Sequence, residues 1–197
     1  MTGCGNSLLG EELYRDGYHN VINTDISPSV IESMSKHCEI CSKMKWKIMD
    51  CLNLPVENHS FDVVLEKATT EVFLVDQISP WDITESAKEI IGRMMNQIER
   101  VLKPETGQFF SISFTAPHFK RILMSSCFPK TLKLSDVFEL GDRFHFFMYC
   151  FSNNATIIPK EVFRYEPPKF TSFSKNSSSE DEEDDTKMRN FFDGFDL

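Results

Sequence analysis

Gly3-Cys4-Gly5-Asn6-Ser7 stands immediately before a helical pattern, and its residue types suit ligand binding. Glycines at such a place allow a sharp turn and let the backbone approach a ligand closely. The amino end of the following helix presents unpaired N–H groups and partial positive charge, which suit a carboxylate or phosphate. Asp25, twenty residues beyond Gly5, closes the next apolar run, where an acidic side chain can accept hydrogen bonds from ribose hydroxyls. Together these features predict an adenosine-containing cofactor. A nicotinamide dinucleotide uses the same arrangement, but its fingerprint wants a third glycine where Leu8 stands.

Two further groups fall at the ends of apolar runs. Met49-Asp50-Cys51 ends one: Asp50 can accept from an adenine amino group and Cys51 supplies a backbone N–H, although a loop aspartate also commonly caps a turn. Phe61-Asp62-Val63-Val64-Leu65 runs into Glu66-Lys67, at the strand end where ligands lie in open α/β sheets. His37-Cys38 with Cys41 forms a C-x-x-C beside a histidine, but a structural zinc site needs a second ligand pair and none is present. Free thiols are therefore expected for all six cysteines.

The elements that must position these residues alternate between helix and strand at short spacing. This predicts an α/β domain over residues 1–160 with a mostly parallel sheet. Asn6 or Ser7 caps a helix over 7–16, ended by Gly17. A strand over 21–25 leads to Ser27-Pro28, which cap and open a helix over 28–36. Strands follow at 46–49 and 61–65, the latter read as buried on both faces. A long amphipathic helix spans 85–102 and a strand 108–114. An antiparallel pair at 131–138 and 143–151 is separated by Gly141-Asp142.

From residue 161 onward the composition predicts a disordered acidic tail. The net charge of −9 comes mostly from residues 176–197, which hold eight acidic residues against Lys187 and Arg189. No basic stripe points to nucleic acid. The longest apolar run, 144–151, is interrupted by His145 and falls far short of the ~20 residues of a membrane helix. No secretory signal pattern is visible, so a cytoplasmic protein is expected. Ser177, Ser178 and Ser179 precede six consecutive acids, a pattern resembling sites of acidophilic kinases. The aromatic patch around Phe191, Phe192 and Phe195 reads first as part of the solvated tail, and second as a docking peptide.

The succession G-C-G-N-S, an acid at the second strand end, M-D-C, F-D-V-V-L-E-K and R-V-L-K-P-x-x-G resembles class I methyltransferases with a Rossmann-like sheet. Within them it is similar to the methyltransferase-like group that modifies elongation factor 1-alpha. Thr115-Ala116-Pro117-His118-Phe119 and Phe144-His145-Phe146 add to that likeness. The resemblance covers residues 3–151. It implies S-adenosyl-L-methionine as cofactor, held by Gly3 in the glycine loop, Asp25 and Ile26 at the ribose, Asp50 and Cys51 at the adenine, and Lys67 near the methionine part. It implies protein-lysine methylation with elongation factor 1-alpha as target. A small-molecule methyltransferase and a non-catalytic interaction module stay open as alternatives.

No catalytic base is identified. Glu66 and Glu71 are candidates for orienting a substrate amine, and His118 and His145 for lining the same edge. The group commonly reads E-K-G-T-L-D where this chain has Glu66-Lys67-Ala68-Thr69-Thr70-Glu71, so Ala68 is expected to narrow the substrate approach and Glu71 to set its carboxylate farther out. Relatives also carry an amino-terminal segment and an apolar first strand before the glycines. That strand is expected to be missing from the middle of the sheet, which implies a partial gene model or an alternative start. The chain alone is expected to be unstable and inactive, its longer parent active.

Overall fold

Short apolar runs separated by capped helices give a computed structural model describing residues 1–38, 41–77, 79, 81–141 and 145–153. In chain order the elements are α1 (Leu9–Arg15), β1 (Ile22–Asp25), α2 (Pro28–His37), β2 (Lys45–Ile48), β3 (Val63–Lys67), α3 (Thr69–Val72), α4 (Glu85–Val101), β4 (Gln108–Ser113), α5 (Pro117–Cys127), β5 (Lys133–Leu140) and β6 (Phe146–Ser152). The expected acidic tail and its serine and aromatic motifs, together with Asp142 and Phe144, lie outside the described residues.

β1 pairs with β2 in parallel, and a second ladder runs in the order β3-β4-β6-β5. β3 and β4 are parallel, while β6 runs antiparallel to both β4 and β5. The sheet is thus mixed, as an α/β fold with a terminal hairpin requires. Thr2 forms parallel bridges to Thr24 of β1 and to Glu66 of β3. The Thr2 N–H donates to the Leu65 carbonyl, the Thr24 N–H to the Met1 carbonyl and the Cys4 N–H to the Thr24 carbonyl, each at 2.9 Å. The place expected to be vacated by a first strand is held by Met1 to Cys4, with Thr2 bridging the two ladders.

The long helix is the organiser of the core. Thr84 caps α4 by accepting from the Ala87 N–H, and an apolar stripe at helical spacing places Ile91, Met94, Met95 and Ile98 in full burial. They pack with Phe109 of β4 and with Tyr149 and Phe151 of β6, where the Phe109 and Phe151 rings stack at 5.4 Å. Arg100, on the last turn, donates to the carbonyls of Leu54 and Val56 at 2.7 and 2.8 Å. It thereby fixes the connection from β2 to β3.

Three local expectations need correction. Burial in β3 alternates: Val64 and Glu66 point inward, Val63 and Lys67 are exposed. That is the signature of one covered face, rather than two. Ser7 accepts from the Leu9 N–H at 3.3 Å and α1 begins at Leu9, so the helix is shorter than 7–16. Cys38 and Cys41 are joined as a disulfide in a small cluster with Met44, so these two thiols are not free.

Candidate functional site

The carboxyl ends of β1, β2 and β3 carry the residues singled out above. Asp25, last of β1, receives the Gly5 N–H on Oδ2 at 2.8 Å and the Ser27 N–H on Oδ1 at 2.9 Å. One carboxylate therefore fixes both the glycine loop and the start of α2, whose cap Ser27 accepts from Val30. Each oxygen of an ionised carboxylate offers two acceptor positions, so both keep one free. Gly3 and Gly5 have φ of 59° and 51°. Their surroundings differ. A Cβ on Gly5 would meet nothing within 4 Å, whereas one on Gly3 would lie 2.3 Å from Thr69 Oγ1. Openness to a ligand thus belongs to Gly5, and Gly3 is required by close packing on α3.

Ile26, next along, is exposed. At the end of β2, Asp50 accepts from the Leu52 N–H at 2.8 Å through Oδ1, so it does cap its own turn, with Oδ2 left for other use. Burial pushes the half-buried Cys51 thiol up to about 11, with the Asp50 carboxylate adding to the shift and Asp25 and Glu66 contributing less. Lys67 ends β3 with its side chain exposed.

Behind this rim lies a buried polar cluster. Glu66 is fully buried and receives the N–H groups of Thr69 and Thr70 at 2.8 and 3.2 Å, the Thr70 hydroxyl at 3.2 Å and the Ser111 hydroxyl. It caps α3, and both of its oxygens are engaged within the protein. Lys120 of α5, also fully buried, donates to Ser111 Oγ at 3.0 Å and stands 3.7 Å from Glu71 Oε1 and 4.0 Å from Glu66 Oε1. Its ammonium lies 5.4 Å from the centre of the Tyr149 ring. Glu71 Oε1 also accepts from the hydroxyls of Ser113 and of Thr115, the latter at 3.2 Å.

Glu71 borders a cavity of about 280 Å³ together with Leu74, Ile83, Phe114, Phe119 and Leu123. Ala68 does not line it; its N–H donates to the Ile112 carbonyl at 2.9 Å and its backbone is left-handed, with φ of 57°. The replacement of glycine by alanine therefore acts on the chain's own backbone. His118 stacks near Phe119 and Trp81, and burial pushes its imidazole down. His145 pairs with Glu139 between β5 and β6 and takes no part in the rim.

Lys120, Ser111, Ser113 and Tyr149 were not anticipated from sequence. The available signal was a lysine on the stripe Lys120, Leu123, Cys127, at apolar spacing along α5. Among the described residues, no group of three or more His, Cys, Asp or Glu could hold a metal. No described helix is long and apolar enough to cross a membrane.

A family model described as a methyltransferase domain matches residues 1–110. EEF1A lysine methyltransferase 4 of Mus musculus is 32% identical over 149 residues, covering 75% of this chain and 58% of the relative. The chain thus spans a little over half the length of that relative. The eEF1A lysine and N-terminal methyltransferase of Homo sapiens is 36% identical over 120 residues, covering 60% of this chain and 16% of its own. Among solved structures, N-methyltransferase NodS from Bradyrhizobium japonicum in complex with S-adenosyl-L-homocysteine superposes with a TM-score of 0.56 at 14% identity. That match covers 78% of this chain and 76% of NodS, and establishes the Rossmann-like fold.

Proposed function

This chain belongs to the methyltransferase-domain family, and from that premise we propose that it is an S-adenosyl-L-methionine-dependent protein-lysine N-methyltransferase acting on translation elongation factor 1-alpha. The observation that carries the reading is the Asp25 carboxylate, which fixes Gly5 and Ser27 and keeps acceptor positions for two ribose hydroxyls. The names of the relatives support the lysine and the translation factor.

The residues fit the cofactor. The open space over Gly5 admits a ligand against the backbone, and Gly3 shapes the loop. Asp25 and Ile26 are assigned to the ribose, Asp50 Oδ2 and the Cys51 N–H to the adenine edge, and Lys67 to the carboxylate of the methionine part. S-adenosyl-L-methionine, when bound, supplies a methyl group on a cationic sulfur. The protein's own work is orientation and removal of water. A target amine placed against Leu74, Phe119 and Leu123 is desolvated, which lowers its pKa toward the uncharged form that carries the lone pair.

The proposal extends to a domain over residues 1–160 followed by an acidic tail over 161–197, and to a cytoplasmic location, where a translation factor works. Transfer of radiolabelled methyl to purified elongation factor 1-alpha tests it. Label on that protein, lost when its acceptor lysine is changed to arginine, is the expected result. Label appearing only in small molecules would contradict the lysine reading.

A further inference from the structure

Oε2 of Glu71 is buried, belongs to a side chain 8% exposed, and has no hydrogen-bond partner. Its sister Oε1 is fully engaged, by Ser113, Thr115 and Lys120. Buried acceptors are almost always paired, so an orphaned carboxylate oxygen on a residue that lines a cavity calls for an explanation. We propose that this cavity receives an unbranched alkylammonium side chain of the substrate, with Glu71 Oε2 as the acceptor of its ammonium. The proposal rests on the lysine reading given above and names the residue that would select the amine.

Charge favours a cation there. The cluster holds two carboxyls, Glu66 and Glu71, and one ammonium, Lys120. Both oxygens of Glu66 are occupied by α3 and Ser111. The surplus acceptor is therefore Glu71 Oε2. A buried carboxylate without a matching cation is unfavourable, and a ligand ammonium would balance it. A neutral alkyl or hydroxyl group would not.

Shape agrees with charge. Most of the remaining wall is apolar, from Leu74, Val75, Ile83, Phe114, Phe119 and Leu123, and the polar side chains of Gln77, Ser79 and Thr115 complete it. At about 280 Å³ the cavity is ample for a four-carbon ammonium. Phe119 is braced edge-on by Trp81 at 4.8 Å, and the exposed Phe114 stands at the boundary, so aromatic faces are available to a cation. Lys120 acts as a positioning residue that holds Oε1.

The test titrates the full chain with n-butylammonium chloride and, separately, n-butanol, following amide shifts by NMR. Expected are saturable shifts at Leu74 and Phe119 for the cation, with n-butanol at least tenfold weaker. Glu71→Gln, checked for its melting transition, should bring the two ligands to equal affinity, and Glu71→Asp should restore part of the preference. Leu74→Trp, which fills the cavity and leaves the partners of Glu71 in place, should abolish binding even if the glutamine variant does not fold. Equal affinity for both ligands in the parent chain, or a preference surviving Glu71→Gln, would overturn the proposal. Calorimetry with S-adenosyl-L-homocysteine on the same samples separates the two claims. Cation binding without cofactor binding leaves the cavity assignment standing and removes the methyltransferase reading, and the converse removes the cavity assignment alone.

Discussion

Thr69 fills the space beside Gly3: its hydroxyl donates to the Thr2 and Gly3 carbonyls at 3.2 and 3.3 Å, and its Oγ1 sits where a Cβ on residue 3 would need to be. The glycine loop is therefore packed onto α3, the helix that carries Glu71. Gly3→Ala should cost about 2–4 kcal/mol, combining a left-handed backbone with a clash. Adding Thr69→Ala should recover the steric part and leave the backbone part, as urea titration of the single and double variants would measure.

Ala68 is the converse case. It holds φ of 57° and ψ of 20° at the start of α3, a conformation that glycine adopts freely and alanine does not. Ala68→Gly should raise stability by about 1 kcal/mol despite the extra chain entropy of glycine. A lower urea midpoint in the glycine variant would show that the strain is absent.

Among the described residues, Lys120 is the one basic side chain paired with Glu66 and Glu71, at 4.0 and 3.7 Å. Lys120→Met keeps the length and removes the charge, leaving two carboxyls facing each other in the interior. The loss should be about 3–5 kcal/mol. Combining it with Glu71→Gln should cost less than the sum of the two single changes, because the residues act as one network.

Much of this was legible in the residues and some was not. α4 announces itself through a 17-residue amphipathic run with a threonine cap, and Asp25 through its place at the end of a short apolar strand. Both are local signals. α5 was not anticipated because Lys120 interrupts its buried stripe, and the reason for a buried lysine exists only where β3, β4 and α3 converge on it. Glu66 and Glu71 read alike in sequence. Only the third dimension separates them, since one is consumed by helix capping and the other borders a cavity. The middle of the sheet was expected to lose its backbone partners, yet Thr2 alone bridges both neighbours.

Cys4, Cys51, Cys127 and Cys150 all have their thiols pushed up to about 11 from an ordinary value of 9.0, burial being the first cause in each. The folded state holds these protons more tightly than the unfolded one. Their contribution to stability is therefore complete below pH ~9 and is lost as pH rises through about 11. The urea midpoint should fall between pH 8 and pH 10.5, and less steeply in Cys150→Ala. Alkylation of these four thiols at pH 8 should be slow in the native chain and fast in urea.

Calorimetric titration of the chain with S-adenosyl-L-methionine tests the central claim most directly. With Thr2 bridging β1 and β3, the account predicts, against the instability and inactivity expected from sequence, saturable one-to-one binding, weakened roughly tenfold or more by Asp25→Ala through loss of charge-assisted hydrogen bonds, with the variant still melting cooperatively. No heat of binding from the parent chain, or equal affinity in a folded Asp25→Ala variant, would contradict it.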